Sequence, residues 1–325
     1  MRFAFTEEQL AVRDAARDLL AHECPPAVVR RAWDGDARRT DAWGHLAEMG
    51  VLGALAPETA GGLGLGFVDL ILVLEETGYV ALPDPIVEHA AVAVPLLADP
   101  APAATGAQTL TATLDGSRIA VWADTADVVA VGDDTGQRLV SRDTATLEPV
   151  RSVDGARRLF RVGPIPDDAP TVSDLHAFDR GALGVAAQLV GLGRRMLDLT
   201  VGYASERRQF GVPIGSFQAV KHQLADARIA LEFARPLVYR AAWSLDQRDA
   251  DASLHVSMAK AQASDAAHLA GRAALQCHGA IGYSYEYDLH LYLKRAWALE
   301  ASGGDAGWHR RRVGRAIGVV TPGRT

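Results

Sequence analysis

Cysteine is nearly absent. Cys24 and Cys277 are the only two in 325 residues, far apart and outside any CxxC spacing. That excludes a disulfide framework and leaves no thiolate set for zinc. Basic residues are not in surplus either: 33 Lys and Arg stand against 40 Asp and Glu, a net charge of −7. A nucleic-acid backbone needs a cationic footprint, so nucleic acid is not an expected partner. An acidic average still leaves room for a local basic pocket around a phosphorylated cofactor. No apolar run reaches the ~18 residues of a membrane helix, so no membrane insertion is expected. The opening MRFAFTEEQL has neither a basic n-region nor an apolar h-region, so no secretory signal is expected and the expected location is cytoplasmic. His278 and His290 stand in no metal-ligand pattern, and no metal is expected.

What is present is ordinary globular material, 49% apolar and 22% charged, rich enough for a sizeable core. The length suggests about two domains, or one large domain with an inserted module. Thr6 and Gln9 have the spacing of a capping box, flanked by Phe5 and Leu10 as a hydrophobic staple. Val12, Ala15, Ala16, Leu19 and Leu20 then recur at helical period, and Pro25-Pro26 stops the run. A second helix carries Trp43, Leu46 and Met49. A third, from about Val68 to Thr77, is expected to close at Gly78 as its C′ glycine. Near Pro95 the character changes to short runs such as Ile119–Trp122, Val128–Val131 and Arg138–Val140. Asp115-Gly116 and Asp133–Gly136 punctuate them, which is β-hairpin grammar. From about Arg180 long helical patterns return: Leu183 to Ser205, a segment after Gly215-Ser216 running past Trp243 through Pro236, Asp251 to Cys277, and Asp288 to Leu299. The expected organisation is an N-terminal helical domain (1–100), a small β middle module (101–168) and a C-terminal antiparallel helical bundle (169–325). The fold class is mainly α.

The most informative stretch runs from Ser205 through Arg207, Phe210 and Gly215 to Gln218. A long helix ends, a Gly/Pro loop follows, and a new helix opens at Ser216. A helix N-terminus offers free N–H groups and a positive dipole end that suit a phosphate, and Arg207 could add a bidentate fork. Read on physics alone, Arg207 and Arg208 are equally solvated helix-end charges and Phe210 a core residue. A second stretch, Gln276-Cys277-His278-Gly279-Ala280-Ile281-Gly282-Tyr283, reads by itself as a helix C-cap and turn.

These segments together resemble the acyl-CoA dehydrogenase family. Arg207-x-x-Phe210-Gly211-x-Pro213-Ile214-Gly215-x-Phe217-Gln218 is similar to its flavin-contacting signature, and Gln276 to Tyr283 to its Gln-x-x-Gly-Gly-x-Gly-Tyr loop. Trp43 to Gly50, Pro57-Glu58 with Gly61–Gly64, and Leu74–Gly78 resemble its first helical domain in order and spacing. The resemblance implies an FAD-dependent α,β-desaturation of an acyl-CoA thioester. Arg207, Phe210, Gln218, Gln276 and Gly279 would then bind the ADP half of FAD held mainly by a neighbouring subunit. Ala280 stands where the family has its second glycine, and its Cβ limits the closest backbone approach.

Two family features are missing. The resemblance puts the catalytic Glu at one of two positions, which fall at Gly303 and near Gly181. Asp305 and Glu300 are the nearby carboxylates that could substitute; no base is assigned. The middle module is also short and lacks a Thr-Glu-Pro…Gly-Ser-Asp run. The chain thus resembles the smaller subunit of actinobacterial heteromeric acyl-CoA dehydrogenases, which implies an oligomer with an acyl-CoA dehydrogenase-like mate, hetero- or homomeric. Two other readings stand beside it: a homo-oligomeric flavoenzyme with a relocated base, and a non-catalytic scaffold subunit.

Overall fold

A computed structural model describes residues 4–35, 38–114, 116–133, 136–174 and 176–319. Helix α1 (Glu7–Glu23) starts on the expected capping box: Thr6 Oγ1 accepts from the Gln9 N–H, and the Gln9 side chain accepts from the Thr6 N–H. α2 (Pro26–Trp33) follows at once, with proline at its first position, where the missing N–H removes no helical bond. α3 (Asp41–Glu48), a 3₁₀ turn (Glu58–Ala60) and α4 (Phe67–Tyr79) complete the first helical layer.

Gly78 does not cap α4 as expected; it lies inside the helix, where α6 crosses. A Cβ at Gly78 would sit 2.2 Å from the Gln188 carbonyl oxygen, and one at Gly191 would sit 1.9 Å from the Glu75 carbonyl oxygen. The two glycines let the backbones touch, a non-local reason that local reading mistakes for a stop signal. Ion pairing reinforces the crossing. The buried Glu75 carboxylate accepts from Arg194 (2.6 Å) and from the Tyr239 hydroxyl (2.7 Å).

A wholly buried π-helical segment (Val87–Ala93), a 3₁₀ turn (Val94–Leu96) and the short α5 (Ala101–Ala104) lead into the β module. His89 joins them: its Nε2 donates to Ala103 O (3.1 Å) and its Nδ1 accepts from the Leu110 N–H (3.0 Å). Burial pushes its pKa down to about 4, which keeps the ring neutral.

The module holds β1 (Leu110–Ala112), β2 (Ile119–Val121), β3 (Val128–Asp133), β4 (Gly136–Ser141), β5 (Leu147–Val150), β6 (Leu159–Val162) and β7 (Thr171–Val172). One sheet has the order β1-β3-β4-β7, with β1 parallel to β3; the other has the order β2-β6-β5. The expected β3–β4 hairpin runs in register from Val128↔Ser141 to Asp133↔Gly136; Asp115, Asp134 and Thr135 of the expected turns lie outside the described residues. The sheets enclose a small core of their own around Val129, Val131, Val140 and Val162.

The rest is helical: α6 (Ala177–Glu206), a short hairpin of β8 (Arg208–Gln209) and β9 (Val212–Pro213), α7 (Gln218–Asp246), α8 (Ala252–His278), α9 (Leu289–Ala301) and α10 (Ala306–Ala316). α7 continues through Pro236. The inward faces of α6 and α8 are crowded with alanine, which lets the long helices pack closely. A loop from the β module inserts between the first helical layer and α9. There the buried Asp154 pairs with Arg295, whose Nη1 also donates to Leu82 O at 2.7 Å.

Candidate flavin-binding and active site

At the end of α6 the Arg207 N–H still closes the helix on Tyr203 O (2.8 Å). The chain then turns back through β8 and β9, paired Arg208↔Pro213 and Gln209↔Val212. The two turn residues, Phe210 (φ 53°) and Gly211 (φ 82°), both have left-handed backbone, the requirement of a type I′ hairpin. A phenylalanine in that conformation stores about 1–3 kcal/mol of strain. Phe210 is 94% exposed and meets Phe217 edge to face, 6.2 Å between centroids. It is not a core residue. Among the described residues the exposed Arg207 side chain has no hydrogen-bond or ion-pair partner.

The next helix opens at Gln218 rather than at Ser216. Ser216 Oγ donates to Pro213 O (2.7 Å) and does not cap it, and Phe217 at the N-cap offers no acceptor. The first N–H groups of α7 therefore lack a side-chain cap beside an unpaired guanidinium.

The second segment lies at the same end of the bundle. Tyr203, one turn before Arg207, stacks on His278 with 4.4 Å between ring centroids. Gly279 terminates α8, its N–H donating to Leu275 O, with φ 63°. Nothing lies within 4 Å of where its Cβ would be, so the backbone angle, not crowding, calls for glycine. Gln276, Gly279 and Ala280 line an open cleft of about 710 Å³ between α7, α8 and α9. The structure thus gathers Arg207, Phe210, Gln218, Gln276 and Gly279 at one pole of the helical bundle.

The two positions for a base meet elsewhere, where the β module abuts the bundle. A Cβ on Gly303 would be 3.3 Å from Ala182 Cα, next in sequence to Gly181. A carboxylate at either position would need its surroundings to shift. A Cβ on Gly181 would lie 2.7 Å from the side chain of Leu114, which is buried in that gap, and Gly303 has φ 64°. Leu114 separates two cavities. One, of about 530 Å³, is lined by Gln137, Phe178, Asp305, Trp308 and Arg311; the other, of about 150 Å³, is lined by Glu88 and Arg157.

The nearby carboxylates are engaged. Asp305 N-caps α10, accepting from the Trp308 N–H at 2.7 Å, and Glu300 lies 3.3 Å from His268 Nδ1. Sequence reasoning missed Lys260, wholly buried on α8. Its Nζ donates to Ser264 Oγ (3.2 Å), Glu300 O (3.1 Å) and Gly304 O (3.0 Å), and burial lowers its pKa to about 7. A charged residue in a long alanine-rich run was the signal that could have found it.

Among the described residues no group of three His, Cys, Asp or Glu could hold a metal ion, and no helix is long and apolar enough to cross a membrane.

Comparison with known proteins agrees with this architecture. Residues 6–116 match the acyl-CoA dehydrogenase N-terminal domain and residues 173–318 the acyl-CoA dehydrogenase C-terminal domain. The chain belongs to the acyl-CoA dehydrogenase family, whose members are FAD-dependent oxidoreductases. It is 34% identical over 301 residues to the acyl-CoA dehydrogenase IpdE2 of Mycobacterium tuberculosis, spanning 89% of this chain and 91% of that one. Its fold superposes on one chain of the ChsE4–ChsE5 complex of Mycobacterium tuberculosis with a TM-score of 0.87, at 24% identity over 99% of this chain and 100% of that chain. The Tcur3481–Tcur3483 steroid acyl-CoA dehydrogenase, in a G363A variant, gives a TM-score of 0.86 at 25% identity, over 96% and 98% of the two chains.

Proposed function

We propose that this chain is one subunit of an FAD-dependent acyl-CoA dehydrogenase that desaturates a CoA thioester. In this reading it supplies the ADP-binding surface for a flavin lodged across the boundary with a second, acyl-CoA dehydrogenase-like subunit. The observation that carries the reading is the arm from Arg207 to Gln218. A strained, 94% exposed phenylalanine and an unpaired guanidinium stand beside an uncapped helix start. Burying such a phenylalanine is worth about 1.5–3 kcal/mol, and its own fold leaves that gain unused.

The residues fit the diphosphate half of the cofactor. Arg207 presents two parallel N–H donors to phosphate oxygens, the first N–H groups of α7 add partial positive charge, and Gln218, Gln276 and Gly279 border the same region. When bound, the flavin accepts the hydride that leaves the substrate β-carbon. Removal of the α-proton requires a carboxylate within reach of that carbon. With glycine at 181 and 303 and Leu114 between them, the base belongs to the other subunit. The steroid dehydrogenase among the structural relatives makes a bulky acyl-CoA the substrate class we favour.

The test is to purify the chain alone and co-expressed with its mate, and to record mass and visible flavin spectrum. Flavin should be retained only by the co-expressed complex, and Arg207→Glu should lower its flavin occupancy without changing its mass. Stoichiometric FAD and acyl-CoA oxidation by the chain alone would refute the two-subunit reading. Unchanged occupancy in Arg207→Glu would favour a scaffold role.

A further inference from the structure

His278 ends α8 between Gln276 and Gly279, two residues that the flavin reading uses, yet its own side chain faces inward and is 5% exposed. Its Nδ1 lies 2.8 Å from Ala274 O. A carbonyl only accepts, so Nδ1 carries the proton and the neutral ring leaves Nε2 as a bare acceptor. Burial lowers its pKa and keeps the ring neutral. Among the described residues Nε2 has no partner. One hydrogen bond therefore anchors the ring, and packing does the rest.

That packing joins three elements. Tyr203, from the last turn of α6, stacks on His278 at 23° with 4.4 Å between centroids. Tyr287, from the loop before α9, leans on it at 50° and 4.8 Å, and the two tyrosines are 5.9 Å apart. The turn after α8 closes over the same residue, since a Cβ on Gly282 would lie 3.0 Å from His278 Cβ.

The Arg207 arm is rooted in this cluster. The Arg207 N–H donates to Tyr203 O and the Ile214 N–H to Arg207 O, both at 2.8 Å. Gly215 lies against the same turn of α6, where an added Cβ would be 3.0 Å from Ala204 O. Further out the arm projects, with Phe210 94% exposed. Whatever fixes Tyr203 thus fixes the direction in which Arg207 leaves the helix. A binding constellation needs its groups held to about 0.5 Å and 10–20°.

Resting on the flavin reading above, we propose that His278 is a positioning residue. Its ring locks the root of the Arg207 arm to the turn that carries Gln276 and Gly279, so both segments meet one cofactor in a single fixed geometry. His278 itself touches no cofactor in this arrangement.

The test titrates FAD into the deflavinated complex and records the mass of each variant complex. His278→Phe keeps a ring in the cluster and loses the bond to Ala274 O. His278→Gln keeps an amide that can donate there and loses the ring. The expected result is about a tenfold weakening of FAD in His278→Gln, the scale of two aromatic contacts, and binding within about twofold of the wild type in His278→Phe. Tyr203→Leu, at a half-buried position, removes the same stack from the α6 side and should match His278→Gln; it carries the comparison if His278→Gln does not assemble. Arg207→Ala should also cost at least about threefold less affinity in the variant lacking the stack than in the wild type, because a misdirected guanidinium has less to lose. A side chain that only fills space would show no such coupling. If His278→Phe binds FAD as weakly as His278→Gln, or Arg207→Ala costs the same in both backgrounds, the positioning role falls and the flavin reading stands. The same holds if His278→Gln and Tyr203→Leu bind FAD like the wild type while Arg207→Ala does not. If Arg207→Ala also binds FAD unchanged, the flavin reading falls with it.

Discussion

Replacing Asp154 by alanine should loosen the joint between the β module and the helical layers. Its carboxylate is 1% exposed and pairs with Arg295, itself 5% exposed. Asp154 Oδ1 also accepts from the Ala156 N–H (3.0 Å), closing its own turn. Without the carboxylate, the Arg295 guanidinium keeps Leu82 O at 2.7 Å, and its Nη2 has no partner among the described residues. A second buried guanidinium, Arg157, lies within electrostatic reach and repels it. Removing one member of a buried pair typically costs about 3–5 kcal/mol. At about 2 °C per kcal/mol for a large domain, thermal unfolding should fall by roughly 6–10 °C. Circular dichroism melts and urea unfolding measure it. The double variant Asp154→Leu/Arg295→Met should recover most of the loss, because an apolar pair leaves no charge stranded. A single-variant loss below about 1 kcal/mol, or a double variant no better than the single, refutes this account.

Gly191→Ala should destabilise by about 1–3 kcal/mol or more, since its Cβ would fall 1.9 Å from Glu75 O, a backbone atom that cannot step aside; chemical denaturation checks it, and a neutral outcome would mean that α4 and α6 do not touch there. Lys260 has a pKa lowered to about 7 by burial, so between that pH and its unfolded value near 10.4 the unfolded chain binds more protons. Its contribution to stability should therefore rise as pH is raised from 7 towards 10. The stability of the wild type minus that of Lys260→Met should climb over that window, and a flat difference would contradict the buried, easily neutralised amine.

Local signals were readable and distant ones were not. The Thr6–Gln9 capping box, the β3–β4 pairing and the four long helices follow from spacing within a few residues, and the structure carries them. α2 was hidden because Pro25-Pro26 signals a stop and also permits a start at the next residue. The π-helical segment is buried on every side and so has no amphipathic period to detect. α10 is rich in arginine, and the residues it buries are His309 and Gly314 rather than apolar side chains. Gly78 shows the limit most clearly, since its role depends on Gln188, more than a hundred residues away. At the site, the arm from Arg207 to Gln218 was legible as a motif. Its I′ turn and the swap of helix start from Ser216 to Gln218 needed backbone angles. Leu114 filling the gap at Gly181 is a meeting of distant segments that no spacing announces.

That gap also limits what mutagenesis can do in one step. A glutamate written at 181 runs into Leu114, and one at 303 inherits a left-handed backbone and the wall of Ala182. A carboxylate at 181 therefore comes only with a shift of the Leu114 and Val92 side chains, and one at 303 only with a strained backbone. Under the two-subunit reading proposed above, a chain with these two glycines would regain a base of its own only through such paired changes.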